Sequence, residues 1–193
     1  MRTRRVASIL CGIAIFVVGF IAPTQAVQAA GRATRINFDN QNAPDIFDHA
    51  IALRRVGRVL FSGPTSLGGG AIVDDATFGS VSGQSSPNFL AFSTTGTLSN
   101  GGAPVGPETI TFPSRVRLVK VKAGSTDAVH PDISVTAFTG PDGTGTILGT
   151  RTLTATPALA SLSFSTRRHV IRSVVVSATT AHVWILDDLV AKR

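Results

Sequence analysis

Short apolar runs recur along this chain, each closed off within a few residues by Gly, Pro, Ser or Thr, and any fold must accommodate that rhythm. An amphipathic helix needs an apolar stripe sustained over about ten residues or more, and most of these runs end sooner. The stretches "GRVLFSG", "PNFLAFS", "ETITFPS", "HVIRSVVVSA" and "HVWILDDLVA" each read as one strand between turn signals. "TRINFDN" puts Ile36 and Phe38 on one face, and "ALASLSFS" does the same for Ala158, Ala160, Leu162 and Phe164. In "DISVTAFTGPDGTGTILGTRTLTA" two strands flank a Pro-Asp-Gly turn, which predicts a hairpin. The exception is "PDIFDHAIALRR", where Ile46, Ala50 and Leu53 fall on one side of a short helix. The expectation is an all-β sandwich or barrel of eight or more strands with at most one short helix.

"RVRLVKVK" carries a local irregularity. Its basic residues are Arg115, Arg117, Lys120 and Lys122, so alternation changes phase between Leu118 and Val119. A bulge there keeps all four toward solvent. Such a stripe reads first as a solvated sheet face, and otherwise as a contact for an acidic glycan or a lipid head group. The cluster of Arg54, Arg55 and Arg58 reads the same way.

The first residues belong to targeting. Arg2, Arg4 and Arg5 precede an apolar run from Val6 to Ala22, Pro23 breaks it, and small residues follow. This reads as a signal peptide over residues 1–29, with Val27 and Ala29 suiting cleavage before Ala30, or Thr24 and Ala26 cleavage before Val27; the other reading is an uncleaved anchor. The run falls short of the roughly 20 residues a membrane span requires. Cys11, the only cysteine, leaves with it, so residues 30–193 contain no disulfide, thiolate metal site or thiol nucleophile. Losing three arginines from a formal +7 leaves +4. That balance is only mildly basic and points away from nucleic acid. The remaining length suits a single secreted domain without a membrane span.

Motifs of catalysis are missing: no Gly-x-Ser-x-Gly elbow, no His-Glu-x-x-His pair and no phosphate loop. His49, His130, His169 and His182 are not paired at metal-ligand spacing, and Glu108 is the only glutamate. The acidic pairs are more informative. Asp187 and Asp188 are adjacent in an apolar strand, so they cannot both face water. Strict alternation groups Asp187 with Val183, Ile185 and Leu189, and Asp188 with Trp184, Leu186 and Val190. The bulkier second set favours Asp188 as the inward residue. Asp74 and Asp75 form a second pair beside a Gly-rich loop, where turn chemistry accounts for them without a ligand.

In order, "INFDN", "SGPTSLGGGAIVDDATFGSVSGQSSPNFLAF", "ETITF", the Pro-Asp-Gly hairpin and "VWILDDLV" resemble the secreted bacterial jelly-roll β-sandwich domains related to carbohydrate-binding modules and galactose-binding-like domains. The nearest of these occur in exoproteins with a PEP-CTERM sorting tail, which "LVAKR" does not provide here. The resemblance implies two antiparallel sheets, an extracellular location and a polysaccharide partner. It also implies a structural calcium where the first and last strands meet, with Asp39 and Asp187 as ligands. Asn40, Asp45 or loop carbonyls would complete the shell. It thus favours Asp187 as the inward aspartate, against the alternation. One departure concerns sugar stacking: the chain has no tyrosine and one tryptophan, Trp184, in a strand that reads as buried. The expected function is non-catalytic extracellular recognition. The alternatives are a structural envelope or matrix protein without a sugar site, or a secreted hydrolase.

Overall fold

A computed structural model describes residues 33–41, 55–62, 71–92, 106–125, 130–179 and 184–193. The signal segment, Asp45, His49, His182 and the expected helix before Arg55 lie outside the described residues. Among those described, the chain runs β1 (Ala33–Ile36), β2 (Arg55–Val56), β3 (Val59–Ser62), β4 (Ala71–Asp74), α1 (Asp75–Phe78) and β5 (Asn88–Phe92). It continues through β6 (Glu108–Val116), β7 (Leu118–Gly124), β8 (Asp132–Phe138), β9 (Ile147–Thr154), β10 (Ala160–Ser165), β11 (Ile171–Ala178) and β12 (Trp184–Lys192). The one helical piece, α1, is a single turn.

The strands form two antiparallel sheets packed as a jelly-roll β-sandwich. One sheet has the order β10-β7-β12-β5-β4, with β1 also pairing to β12; the other has the order β2-β3-β6-β11-β8-β9. Alternation builds the interface between them. Ile133, Val135 and Ala137 of β8, Val174 and Val176 of β11, and Leu162 and Phe164 of β10 are all buried in one core. Trp184 stacks on Phe92 with ring centroids 4.2 Å apart. Gly106 lies flat against that indole, since a Cβ there would come within 2.5 Å of Trp184 Cζ2.

The phase change in "RVRLVKVK" has a different cause from the one expected. It marks a corner and not a bulge. The chain leaves one sheet at Val116 and enters the other at Leu118, with Arg117 at the bend. The four basic side chains still end up on the solvent side, Arg115, Arg117 and Lys120 exposed and Lys122 partly so. The Pro-Asp-Gly hairpin forms as expected between β8 and β9. Asp142 and Gly143 both have positive φ, and the Thr144 amide donates to the Pro141 carbonyl at 2.9 Å. The hairpin tip folds over its own sheet, where Thr111 Oγ1 donates to Asp142 Oδ1 and the Gly143 amide donates to Ser173 Oγ, each at 3.0 Å. That cover explains why Thr111 and Ser173 are buried although they alternate with core residues.

A second, smaller apolar cluster lies on the outer face of the other sheet. Val73, Val81, Phe89, Ala91 and Ile185 close there, with Leu159 packed against them. The segment after α1 covers this cluster, held by Asp75. That carboxylate accepts hydrogen bonds from Gln84 Nε2 at 3.2 Å and from Ser86 Oγ. Asp75 therefore acts as a turn acceptor, as its loop position suggests.

Candidate functional site

β12 changes partner halfway along one edge. Trp184–Leu186 pair with β5, and Leu189–Lys192 pair with β1. Asp187 and Asp188 occupy the gap between the two pairings. On the other edge β12 pairs continuously with β7, but from Asp187 to Val190 it advances three residues while β7 advances two, from Lys122 to Lys120. The extra residue is a β-bulge, and Asp188 takes a left-handed conformation there, with φ 49°.

The bulge resolves the paired aspartates and corrects the strict alternation. Trp184, Leu186, Leu189 and Ala191 share the inner core, so Leu189 belongs with the tryptophan and not with Asp187. Asp188 does not point into the sandwich. It is about one-third exposed and its Oδ2 lies 2.6 Å from Lys122 Nζ. Asp187 is the buried one, completely so, but on the outer face beneath the loop that ends at Pro87. The same ammonium of Lys122 donates to the Gly83 carbonyl at 2.6 Å and so ties this loop to the sheet.

Beneath the loop, Asp187 Oδ2 accepts from the Ser85 amide and Oδ1 accepts from the Asp188 amide at 2.7 Å. Burial pushes its carboxyl up to about 6, against those two amide donors and with help from the neighbouring charge of Asp188. Asp39, in the turn after β1, reaches the same place. Ser85 Oγ lies 3.4 Å from Asp39 Oδ1, 3.1 Å from Asp187 Oδ2, 3.2 Å from Asp187 Oδ1 and 3.3 Å from the Asn37 carbonyl. Asn88 closes the far side, its Nδ2 facing the carbonyls of Phe38, Asp39 and Gln41 at 3.4, 3.5 and 2.7 Å.

Acceptors crowd the Ser85 and Asn88 side chains in this cluster. The Ser85 hydroxyl has one proton for four acceptors, and the Asn88 amide has two for three carbonyls. Further donors make up the difference: Asp39 Oδ1 also accepts from the Asn88 main-chain amide at 3.3 Å, Asp39 Oδ2 from Asn37 Nδ2, and the Phe38 carbonyl from the Gln41 amide at 2.9 Å, so both carboxylates are hydrogen-bonded where the main-chain oxygens gather. No group of three His, Cys, Asp or Glu side chains gathers among the described residues. Any cation held here takes much of its shell from carbonyl and amide oxygens. Asn40, named as a further donor, is exposed in its turn. Asn37, Ser85 and Asn88 lie at the cluster instead, brought there by the fold. His130 and His169 are exposed, and Glu108 is buried at the start of β6, away from the Asp39–Asp187 cluster in the strand order.

Beside the bulge, on the open part of the same face, lies a cleft of about 430 Å³ lined by residues that include Arg35, Asn37, Lys120, Lys122, Asp188 and Val190. It shares β1 and the bulge with the carboxylate cluster.

The fold is similar to solved adhesin domains. The K2 cleaved adhesin domain of Lys-gingipain gives a TM-score of 0.57 at 9% identity, over 84% of this chain and 100% of that one. The K1 and K3 cleaved adhesin domains of Lys-gingipain from Porphyromonas gingivalis W83 give 0.48 and 0.47 at 16% and 14% identity. Those two alignments cover 84% and 82% of this chain and 98% and 97% of theirs. No family model and no curated protein matches the chain. What the K2 likeness establishes is the β-sandwich fold.

Proposed function

We propose that this chain is an exported, non-catalytic recognition module, pinned by a structural calcium ion and directed at a polysaccharide. The observation that carries the reading is the convergence of two carboxylates, Asp39 and Asp187, with main-chain oxygens where β1 and β5 meet β12. Calcium takes roughly six to eight oxygens, mixing carboxylates with carbonyl and amide groups, which is the donor set gathered here. Asp39 and Asp187 would supply charge, and the carbonyls of Asn37, Phe38 and Gln41 would supply neutral oxygens. Bound there, the ion would offset the desolvation that burial imposes on the Asp187 carboxylate and tie the first strand to the last.

Recognition falls to the cleft. It is open, lined by charged as well as apolar side chains and bordered by the proposed metal site, so the ion would fix the strand that carries Arg35 and the turn that carries Asn37. Asp187 is covered and hydrogen-bonded on both oxygens, a poor arrangement for a carboxyl that must meet a substrate. An adhesin domain of similar fold is consistent with an extracellular recognition role. The test is a glycan array probed with the purified protein in calcium and again in EDTA. Binding to at least one polysaccharide class, weakened by EDTA, supports the reading. Binding to none would remove the polysaccharide.

A further inference from the structure

The open half of the sheet face is charged in one sense. Cross-strand pairing sets Arg35 of β1 opposite Val190 of β12, Val190 opposite Lys120 of β7, and Lys120 opposite Ser163 of β10. Arg35 and Lys120 thus stand two strand spacings apart, about 10 Å, across the floor of the cleft. Lys122 is already neutralised by Asp188 at 2.6 Å. Neither Arg35 nor Lys120 has an acidic partner within 4.0 Å among the described residues. Beyond them Ser161, Ser163 and Ser165 continue the face with exposed hydroxyls. Among the described residues no aromatic platform for stacking a neutral pyranose lines this cleft, and Trp184 points into the core.

From this we infer that the cleft binds an acidic polysaccharide, with Arg35 and Lys120 pairing to carboxylate or sulfate groups and the serines bonding to sugar hydroxyls. The inference rests on the recognition reading above and narrows its ligand class. Two cations carried on the strands that flank β12, without an acidic partner among the described residues, suit a polymer with repeating charge better than a single small anion. A guanidinium offers a carboxylate or sulfate two parallel donors, and the ammonium adds a point charge. With one acid already matched to one lysine, the cleft presents a net charge of about two, too little to hold nucleic acid by phosphate contacts alone.

The experiment is affinity electrophoresis of the purified full-length protein in calcium. Its gels contain polygalacturonate, alginate or chondroitin sulfate as acidic probes, xylan or dextran as neutral ones, or duplex DNA. Arg35→Gln, Lys120→Gln and their double variant are compared with Arg58→Gln, an exposed charge at the β2–β3 turn of the other sheet. Each single change is expected to weaken retardation by an acidic probe up to about fivefold, and the double change up to about 25-fold. Arg58→Gln should leave it unchanged, and rising salt should weaken it throughout. Three outcomes would overturn the inference and leave polysaccharide recognition standing. They are tighter retardation by xylan or dextran, acidic binding that survives the double change, and DNA bound as tightly as an acidic glycan that is itself bound. Retardation by no glycan at all would defeat both.

Discussion

The outer face of one sheet has two unlike halves, divided by the bulge at Asp187 and Asp188. On one side Ile185, Phe89 and Ala91 are shut under a loop and form a second apolar cluster. On the other side, along the same β12, Val190 sits between Arg35 and Lys120 and faces a cleft open to water. One inserted residue separates them. It lets β12 keep Trp184, Leu186, Leu189 and Ala191 in the inner core while the outer face changes from packed to solvated. One half of the face contributes stability. The other is free to bind.

The largest way to break this contrast is to empty the covered half. Phe89 is fully buried, and Phe89→Ala is expected to cost about 3–5 kcal/mol in urea unfolding. Lys120→Ala on the open half should move the same midpoint by no more than about 0.5 kcal/mol. Equal losses at both positions would erase the division.

Next comes pH. The folded carboxyl of Asp187 is raised from 3.8 to about 6, so the folded state binds its proton more tightly than the unfolded chain does. Stability in EDTA should be fully present below pH 3.8 from this group and fall as pH rises to about 6. The loss is about 3 kcal/mol by linkage. Thermal melts across pH 4–7, with Asp187→Asn as the comparison, would isolate it. A profile shared by both proteins would show that Asp187 is not the titrating group.

The smallest effect sharpens the account of the bulge. Asp188 holds a positive φ, which Gly adopts freely and a β-branched residue does not. Asp188→Val should cost about 1–2 kcal/mol. Asp188→Gly should cost less than about 1 kcal/mol, since it forfeits only the partly exposed pair with Lys122. Urea midpoints in the opposite order would contradict a left-handed backbone as the constraint at this residue.

Much of the sandwich is legible in the residues. The Pro-Asp-Gly hairpin and the inward pair Leu162 and Phe164 follow from turn chemistry and period-two burial. The bulge is less so, because alternation counts residues and a bulge adds one. A trace of it exists: the apolar positions 184, 186, 189 and 191 skip a beat at an aspartate, a residue that tolerates left-handed backbone. The corner at Arg117 leaves the same broken phase as a bulge would, and only sheet membership separates the two. Ser85 and Asn88 carry no comparable signal. They are about 100 residues from Asp187 in sequence, in a loop whose Gly, Ser and Gln content announces only turns, and the strand order brings them together.

The most direct test of the account is thermal unfolding of the purified protein in EDTA and then in excess calcium. With calcium about a hundredfold above its dissociation constant, the midpoint should rise by about 5–10 °C. Asp187→Asn and Asp39→Asn should each abolish most of that rise. A midpoint indifferent to calcium, or a rise that both variants retain, would contradict the metal site at the junction of β1, β5 and β12.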